Sequence, residues 1–381
     1  MHYKSLTQHK ESDALCDSGQ TNASDRQVVL VLQGGGALGA YQAGVYQALC
    51  EGGKEPEWII GTSIGAINAS LIAGNPVGAR LQKLEEFWRR MAYHPPLNIA
   101  PWFGVAETMT YWTTLLFGLP NFFVPNAGAF LGTHVPLGVD HAGFYSTAPL
   151  EQTLSKLVDF SLINRGNPRL TVGAAHVQTS EMRYFDSRDG EIDVKHVVAS
   201  CALPPAFPAV RIDGELYWDG GILSNSPTEV IFDDNPRKNS LIFSVHLWNA
   251  MGPEPGTIWE VLNRQKDVQY SSRVASQIAR QHQLHQLRHV ISELATLMPK
   301  DIRKTPAALE LAAYGCFTQM HVVRLLAPRL ESENHTKDLD FSPSSIAMRW
   351  DAGYINTSRV LRQAPWDAEF DMLEGVILHD A

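Results

Sequence analysis

The residues best suited to chemistry lie in Gly61-Thr62-Ser63-Ile64-Gly65, a G-x-S-x-G. A short apolar run, Trp58-Ile59-Ile60, precedes it, and Ala66, Ile67, Ala69, Leu71 and Ile72 follow. Strand, tight turn and helix form the setting of a nucleophile elbow, which presents a serine at the apex of a strained turn. The flanking glycines let backbone pass where a side chain would collide with the neighbouring strand or helix. Ser63 then sits at the positive end of the following helix, which favours developing negative charge.

A second stretch could serve the same reaction. Val28-Val29-Leu30-Val31-Leu32 is apolar without a break and fits a central parallel strand buried on both faces. It runs into Gln33-Gly34-Gly35-Gly36-Ala37-Leu38-Gly39, and a helix over 40–50 should follow, with Tyr41, Val45, Tyr46 and Leu49 on one face. Two functional readings compete for this loop. It matches G-x-G-x-x-G, but a dinucleotide site wants an acidic residue about 20 positions on, at the end of the next strand. That strand ends in Gly61-Thr62-Ser63, and Glu55 and Glu57 come before it. In the other reading the amides of Gly34, Gly35, Gly36 and Gly39, with Ile64 after the serine, form an oxyanion hole. Each such donor is worth roughly 3–4 kcal/mol. A plain turn is the third possibility, although three glycines in a row exceed what a turn needs.

The elements around these two stretches set the frame. An amphipathic helix carries Leu81, Leu84, Phe87, Trp88 and Met91 on one face. From Thr108 to Val139 there is no Asp, Glu, Lys or Arg, and Trp112, Leu115, Leu116, Phe117, Phe122, Phe123 and Phe130 crowd the segment. Pro120, Pro125 and Pro136 cut it into pieces too short to span a membrane. It reads as an interior insertion or as an apolar cap that receives an acyl chain. Strands are expected over 170–177, 183–185 and 241–247. A short helix over 196–200 runs into a proline-held wall up to Pro208. Glu215-Leu216-Tyr217-Trp218 reads as a strand that delivers Asp219-Gly220-Gly221, which alone would be a turn.

Beyond Asn249, Gly252-Pro253-Glu254-Pro255-Gly256 reads as a linker, and a long helix is expected over 268–298. Its Leu284, Leu287, Ile291, Leu294 and Met298 should dock on the core or pair with a second copy of the chain, making a homo-oligomer. A final strand over 320–326 and a final helix over 343–361 complete the reading. His282, His285 and His289 lack a carboxylate or cysteine to complete a ligand set and read as solvated helix positions. No metal and no cofactor is called for.

The formal charge of −9 argues against a nucleic-acid partner. Cys16, Cys50, Cys201 and Cys316 are scattered without a C-x-x-C, which suits a reducing, cytoplasmic setting. Residues 1–27 lack an apolar signal region and are expected to be a disordered tail. Residues 28–248 then read as the chemical domain and 249–381 as a mostly helical extension packed on it.

Gly34-Gly35-Gly36-Ala37-Leu38-Gly39, Gly61-Thr62-Ser63-Ile64-Gly65 and Asp219-Gly220-Gly221 occur in that order, with Ser200 to Pro204 before the third. Together they resemble the patatin-like phospholipases over roughly Val28 to Leu247, and the remainder resembles an extension carried by a bacterial subset of them. The resemblance implies a three-layer α/β/α fold with a central, mostly parallel sheet. It also implies a Ser–Asp dyad without a catalytic histidine, with Ser63 as nucleophile and Asp219 as proton acceptor. Gly61, Gly65, Gly220 and Gly221 shape the two motifs, and the glycine loop serves as oxyanion hole. The implied substrate is a lipid ester, met at a membrane or lipid-granule surface only transiently. One position departs from the family pattern: Leu38 stands where Arg or Lys is usual. Two other readings stay open. An α/β-hydrolase triad would need His246 or His321 as base. A lipid-binding protein on the same scaffold would have lost catalysis, with Leu38 as its mark.

Overall fold

The computed structural model describes residues 26–93, 114, 116–271, 274–330, 336–371 and 374–380, excluding the side chains of 274–277. Residues 1–25 of the tail expected over 1–27, Trp112 and Leu115 lie outside the described residues, and Gln27 is corrected to the first residue of the first strand. In chain order the strands are β1 (Gln27–Leu32), β2 (Trp58–Thr62), β3 (Val124–Pro125), β4 (Tyr145–Ser146), β5 (Arg169–His176) and β6 (Met182–Asp186). They continue with β7 (Val210–Ile212), β8 (Glu215–Asp219), β9 (Ser240–His246), β10 (Met320–Leu326) and β11 (Val376–Asp380).

The unbroken apolar run of β1 is explained by two separate cores. Leu30 and Leu32 join Ile59, Phe243, Val245 and Val323 on one face of the sheet. Val29 and Val31 join Trp58, Ile60, Ile242 and Val322 on the other. A strand covered on both faces has no solvent side on which polar residues could alternate. The sheet runs β11-β10-β9-β1-β2-β5, all parallel, and then turns antiparallel through β8 and β7, with β6 also on β5. With helices on both faces, this is a three-layer α/β/α architecture around a mostly parallel core.

The antiparallel end has a particular geometry. β6 pairs with residues 171–175 of β5 and so occupies one edge of it. β2 pairs with residues 169–173 and β8 with residues 174–176, so both must share the other edge. They arrive from opposite directions. Thr62, the last residue of β2, sits opposite Gly173, and Asp219, the last residue of β8, sits opposite Ala174.

Beyond residue 249 the structure adds to the sheet itself. β10 and β11 extend it past β9. The helix Pro343–Gln363 crosses the helix Ala40–Glu51 at very short range. A Cβ on Gly44 would lie 1.9 Å from the Trp350 carbonyl oxygen, and one on Gly353 would lie 2.1 Å from that of Tyr41. Trp350 Nε1 donates to Gln47 Oε1 at 2.7 Å across the same crossing. The single helix expected over 268–298 is corrected to two, Ile258–Ser271 and Val274–Leu297. For its leucine stripe, docking on the core is corrected: Leu284, Leu287 and Leu294 are exposed, while Ile278, His285, His289 and Ser292 are buried. The imidazoles can face inward because they find hydrogen-bond acceptors inside the protein. Among the described residues, no helix is long and apolar enough to cross a membrane.

Candidate active site

Ser63 sits between β2 and the buried helix Ile64–Ala73 at φ 56° and ψ −127°, a strained conformation for a residue with a side chain. The glycines on either side make this turn possible. A Cβ on Gly61 would lie 2.4 Å from the Gly65 carbonyl oxygen, and one on Gly65 would lie 2.1 Å from that of Leu32. No L side chain fits between these backbone atoms. Ser200 fixes the turn from the other side. Its Oγ accepts from the Ser63 amide at 2.9 Å and donates to the Gly173 carbonyl at 2.6 Å.

The head-on meeting of β2 and β8 brings Asp219 to Ser63. The Ser63 hydroxyl lies beside the Asp219 carboxylate and favours its ionised form, and Gly221 N–H donates to Asp219 Oδ1 at 2.7 Å. Only 3% of Asp219 is exposed. Burial pushes its carboxyl up to about 7, against the pull of Ser63 and of the Gly221 hydrogen bond. A carboxylate that titrates near neutrality is far better matched to proton transfer at physiological pH than an ordinary aspartate. Its neighbours respond in kind: burial, followed by the charges of Asp219 and Asp338, pushes the Tyr270 phenol up to about 12.

The glycine loop is held through the Gly34 carbonyl and the amides of Gly34 and Ala37. Gly34 N–H donates to the Asn225 carbonyl at 3.3 Å. The Gly34 carbonyl accepts from Asn225 Nδ2 at 3.1 Å and from Trp248 Nε1 at 2.8 Å. Ala37 N–H donates to the Asp338 carbonyl at 2.9 Å. Gln33 braces the loop through its side chain, accepting from Leu247 N–H at 2.6 Å and donating to the Tyr270 carbonyl at 3.3 Å. Gly35 and Gly36, the latter at φ 57°, face a pocket of about 130 Å³ together with Ser63, Ile64 and Asp219. Gly39 lies elsewhere: a Cβ there would lie 2.5 Å from Ile64, and its carbonyl accepts from Asn68 Nδ2 at 3.0 Å. Leu38 is buried in the apolar core, 2% exposed.

The pocket's far walls are aromatic. Phe122 and Phe123, from the uncharged segment, pack with Phe207, and Phe122 also packs on Phe341. Trp248 and Tyr270 stack at 4.9 Å between centroids. Sequence reasoning missed several of these residues. Asn225 belongs to no sequence motif, yet it bridges the glycine loop. Tyr270, Asp338 and Phe341 come from beyond residue 249, where no motif marks them. No histidine lines the pocket among the described residues. His246 Nε2 instead meets Ser244 Oγ at 3.1 Å, and His321 stacks on His379. A histidine-based triad therefore has no member at this site.

Comparison with known proteins follows the same lines. A family model described as patatin-like phospholipase matches residues 30–232, and a second, described as patatin phospholipase, matches residues 268–373. The chain belongs to the patatin-like phospholipase family. Among solved structures it is similar to VipD from Legionella pneumophila, at 16% identity and a TM-score of 0.37, covering 89% of this chain and 67% of that one. It is also similar to the type III effector protein ExoU, at 16% identity and a TM-score of 0.33, covering 89% of this chain and 53% of that one. No curated protein sequence matches significantly.

Proposed function

We propose that this protein cleaves carboxylic esters of lipids by acyl transfer through Ser63, with Asp219 as the proton acceptor. The observation that carries this reading is that Ser63 shares its pocket with a buried carboxylate, Asp219, which burial pushes up to about 7. Ionised Asp219 takes the hydroxyl proton as Ser63 Oγ attacks the ester carbonyl. The new oxyanion is stabilised by backbone N–H groups. Gly34 N–H is already committed to Asn225 and Gly39 lies outside the pocket, which leaves Gly35, Gly36 and Ile64 as the donors. Asp219 returns the proton to the leaving alcohol. Water, deprotonated by the same carboxylate, then hydrolyses the acyl-enzyme.

The aromatic walls favour an apolar acyl chain. Outside the pocket, Leu116, Phe117, Phe130 and Leu131 are 62%, 64%, 82% and 69% exposed within the uncharged segment, a surface suited to transient contact with lipid. The deciding experiment is turnover of phospholipids and p-nitrophenyl esters together with labelling by a fluorophosphonate. Ser63 should label, and Ser63→Ala should neither label nor turn over. Folded wild-type protein that does not label would leave lipid binding without catalysis as the function.

A further inference from the structure

The long helix Val274–Leu297 turns imidazoles, not leucines, toward the protein. His285 and His289 are 0% and 1% exposed and stand one turn apart, so their rings share a face, with centroids 5.4 Å apart. The turn before β10 brings Cys316 to them, a residue that sequence spacing could not associate with either histidine. One ligand atom from each of His285, His289 and Cys316 lies within 4.8 Å of the others. His285 Nε2 is 3.7 Å from Cys316 Sγ. A nitrogen and a sulfur sharing one tetrahedral zinc stand about 3.6 Å apart, as bond lengths of about 2.0 and 2.3 Å require.

The surroundings of the cluster suit a metal. Thr318 presents its carbonyl 2.9 Å from Nε2 of both rings, the nearest oxygen for a fourth position. Thr318 Oγ1 also stands 3.2 Å from His285 Nε2. Gly375, just before β11, closes over both rings: a Cβ there would lie 2.4 Å from His285 Cδ2 and 2.7 Å from His289 Nε2.

We propose that His285, His289 and Cys316 bind one Zn²⁺ per chain, through two imidazole nitrogens and a thiolate, with the thiol proton released to solvent on binding. Two nitrogens and a sulfur select a borderline-soft ion over Mg²⁺ or Ca²⁺, which take oxygen donors. The role is structural. The ion ties the long helix to the approaches of β10 and β11, and none of its three ligands lines the Ser63 pocket.

The full-length protein, reduced and stripped with chelator, is titrated with Co²⁺ and then Zn²⁺. The expected result is one Co²⁺ per chain, a thiolate-to-cobalt charge-transfer band, displacement by Zn²⁺ and a higher melting temperature with Zn²⁺. Cys316→Ser should remove the band, Cys50→Ser should leave it, and His289→Gln should weaken Co²⁺ binding by more than about tenfold. Circular dichroism checks that each variant is folded, and if Cys316→Ser does not fold, His289→Gln decides. A folded wild-type protein without the band at saturating Co²⁺, a band that survives Cys316→Ser, or unchanged affinity in folded His289→Gln would overturn the site.

Discussion

At the scale of single residues, the proposed chemistry rests on Ser63, Asp219 and what holds them. Ser63→Ala and Asp219→Asn should each lower kcat for ester cleavage by more than about 10⁴-fold while leaving the melting temperature near that of the wild type. Asp219 must be ionised to accept a proton, so activity should rise with pH through about 7, and not near 4 as an exposed aspartate would give. The check is the pH profile of kcat/KM. Stability runs the other way for this group. Its raised pKa means the native state holds the proton longer, so its contribution is greatest below about 4 and is lost as pH rises through 7. Ser200→Ala should cost about 1 kcal/mol, since it removes the bonds to the Ser63 amide and the Gly173 carbonyl. It should also lower kcat more than it changes KM, because the lost bonds aim the nucleophile and do not touch the substrate. Ser63 was legible in the sequence because G-x-S-x-G carries its own mechanical reason. Asn225 was not, because a bridging amide two strands away leaves no local pattern.

At the scale of elements, close approach decides more than propensity. Gly65→Ala places a methyl 2.1 Å from a backbone oxygen in the sheet, which cannot retreat without breaking β1 from its neighbours. We expect a loss above about 3 kcal/mol in denaturant titration, or insoluble protein. The elements themselves were largely readable: β1, β2, β5, β8, β9 and β10 follow apolar runs bounded by turn residues. Core docking of the long helix's leucines and the last strand were not readable, for physical reasons. The leucines of the long helix obey the right period but face outward, because the buried face is filled by hydrogen-bonded imidazoles. β11, five residues behind a polar stretch, is too short to announce itself and exists because β10 offers it an edge.

At the scale of the whole molecule, buried charge ties together the part of the chain beyond residue 249. Lys337 Nζ lies 2.7 Å from Asp267 Oδ1, with side chains 2% and 1% exposed, and Arg329 reaches the other carboxylate oxygen at 3.1 Å. Asp267→Ala should cost about 3–5 kcal/mol in chemical denaturation, since it leaves the Lys337 ammonium buried without its partner. Acid should loosen the same half of the sheet. His246 and His321 are both held down to about 4, chiefly by burial. The unfolded chain therefore binds protons that the native one refuses. Their contribution is complete above about 6.5 and drains away as pH falls from there toward 4, which thermal melts across that range will show. A final consequence follows from where the pocket's walls come from. Ser63 and Asp219 are both translated before residue 220, but Tyr270, Asp338 and Phe341 are not, and until β10 arrives one edge of β9 has no neighbour. A chain still on the ribosome thus carries Ser63 and Asp219 in an open, half-built cleft. On the proposed reading, ester cleavage should begin only when synthesis is nearly finished.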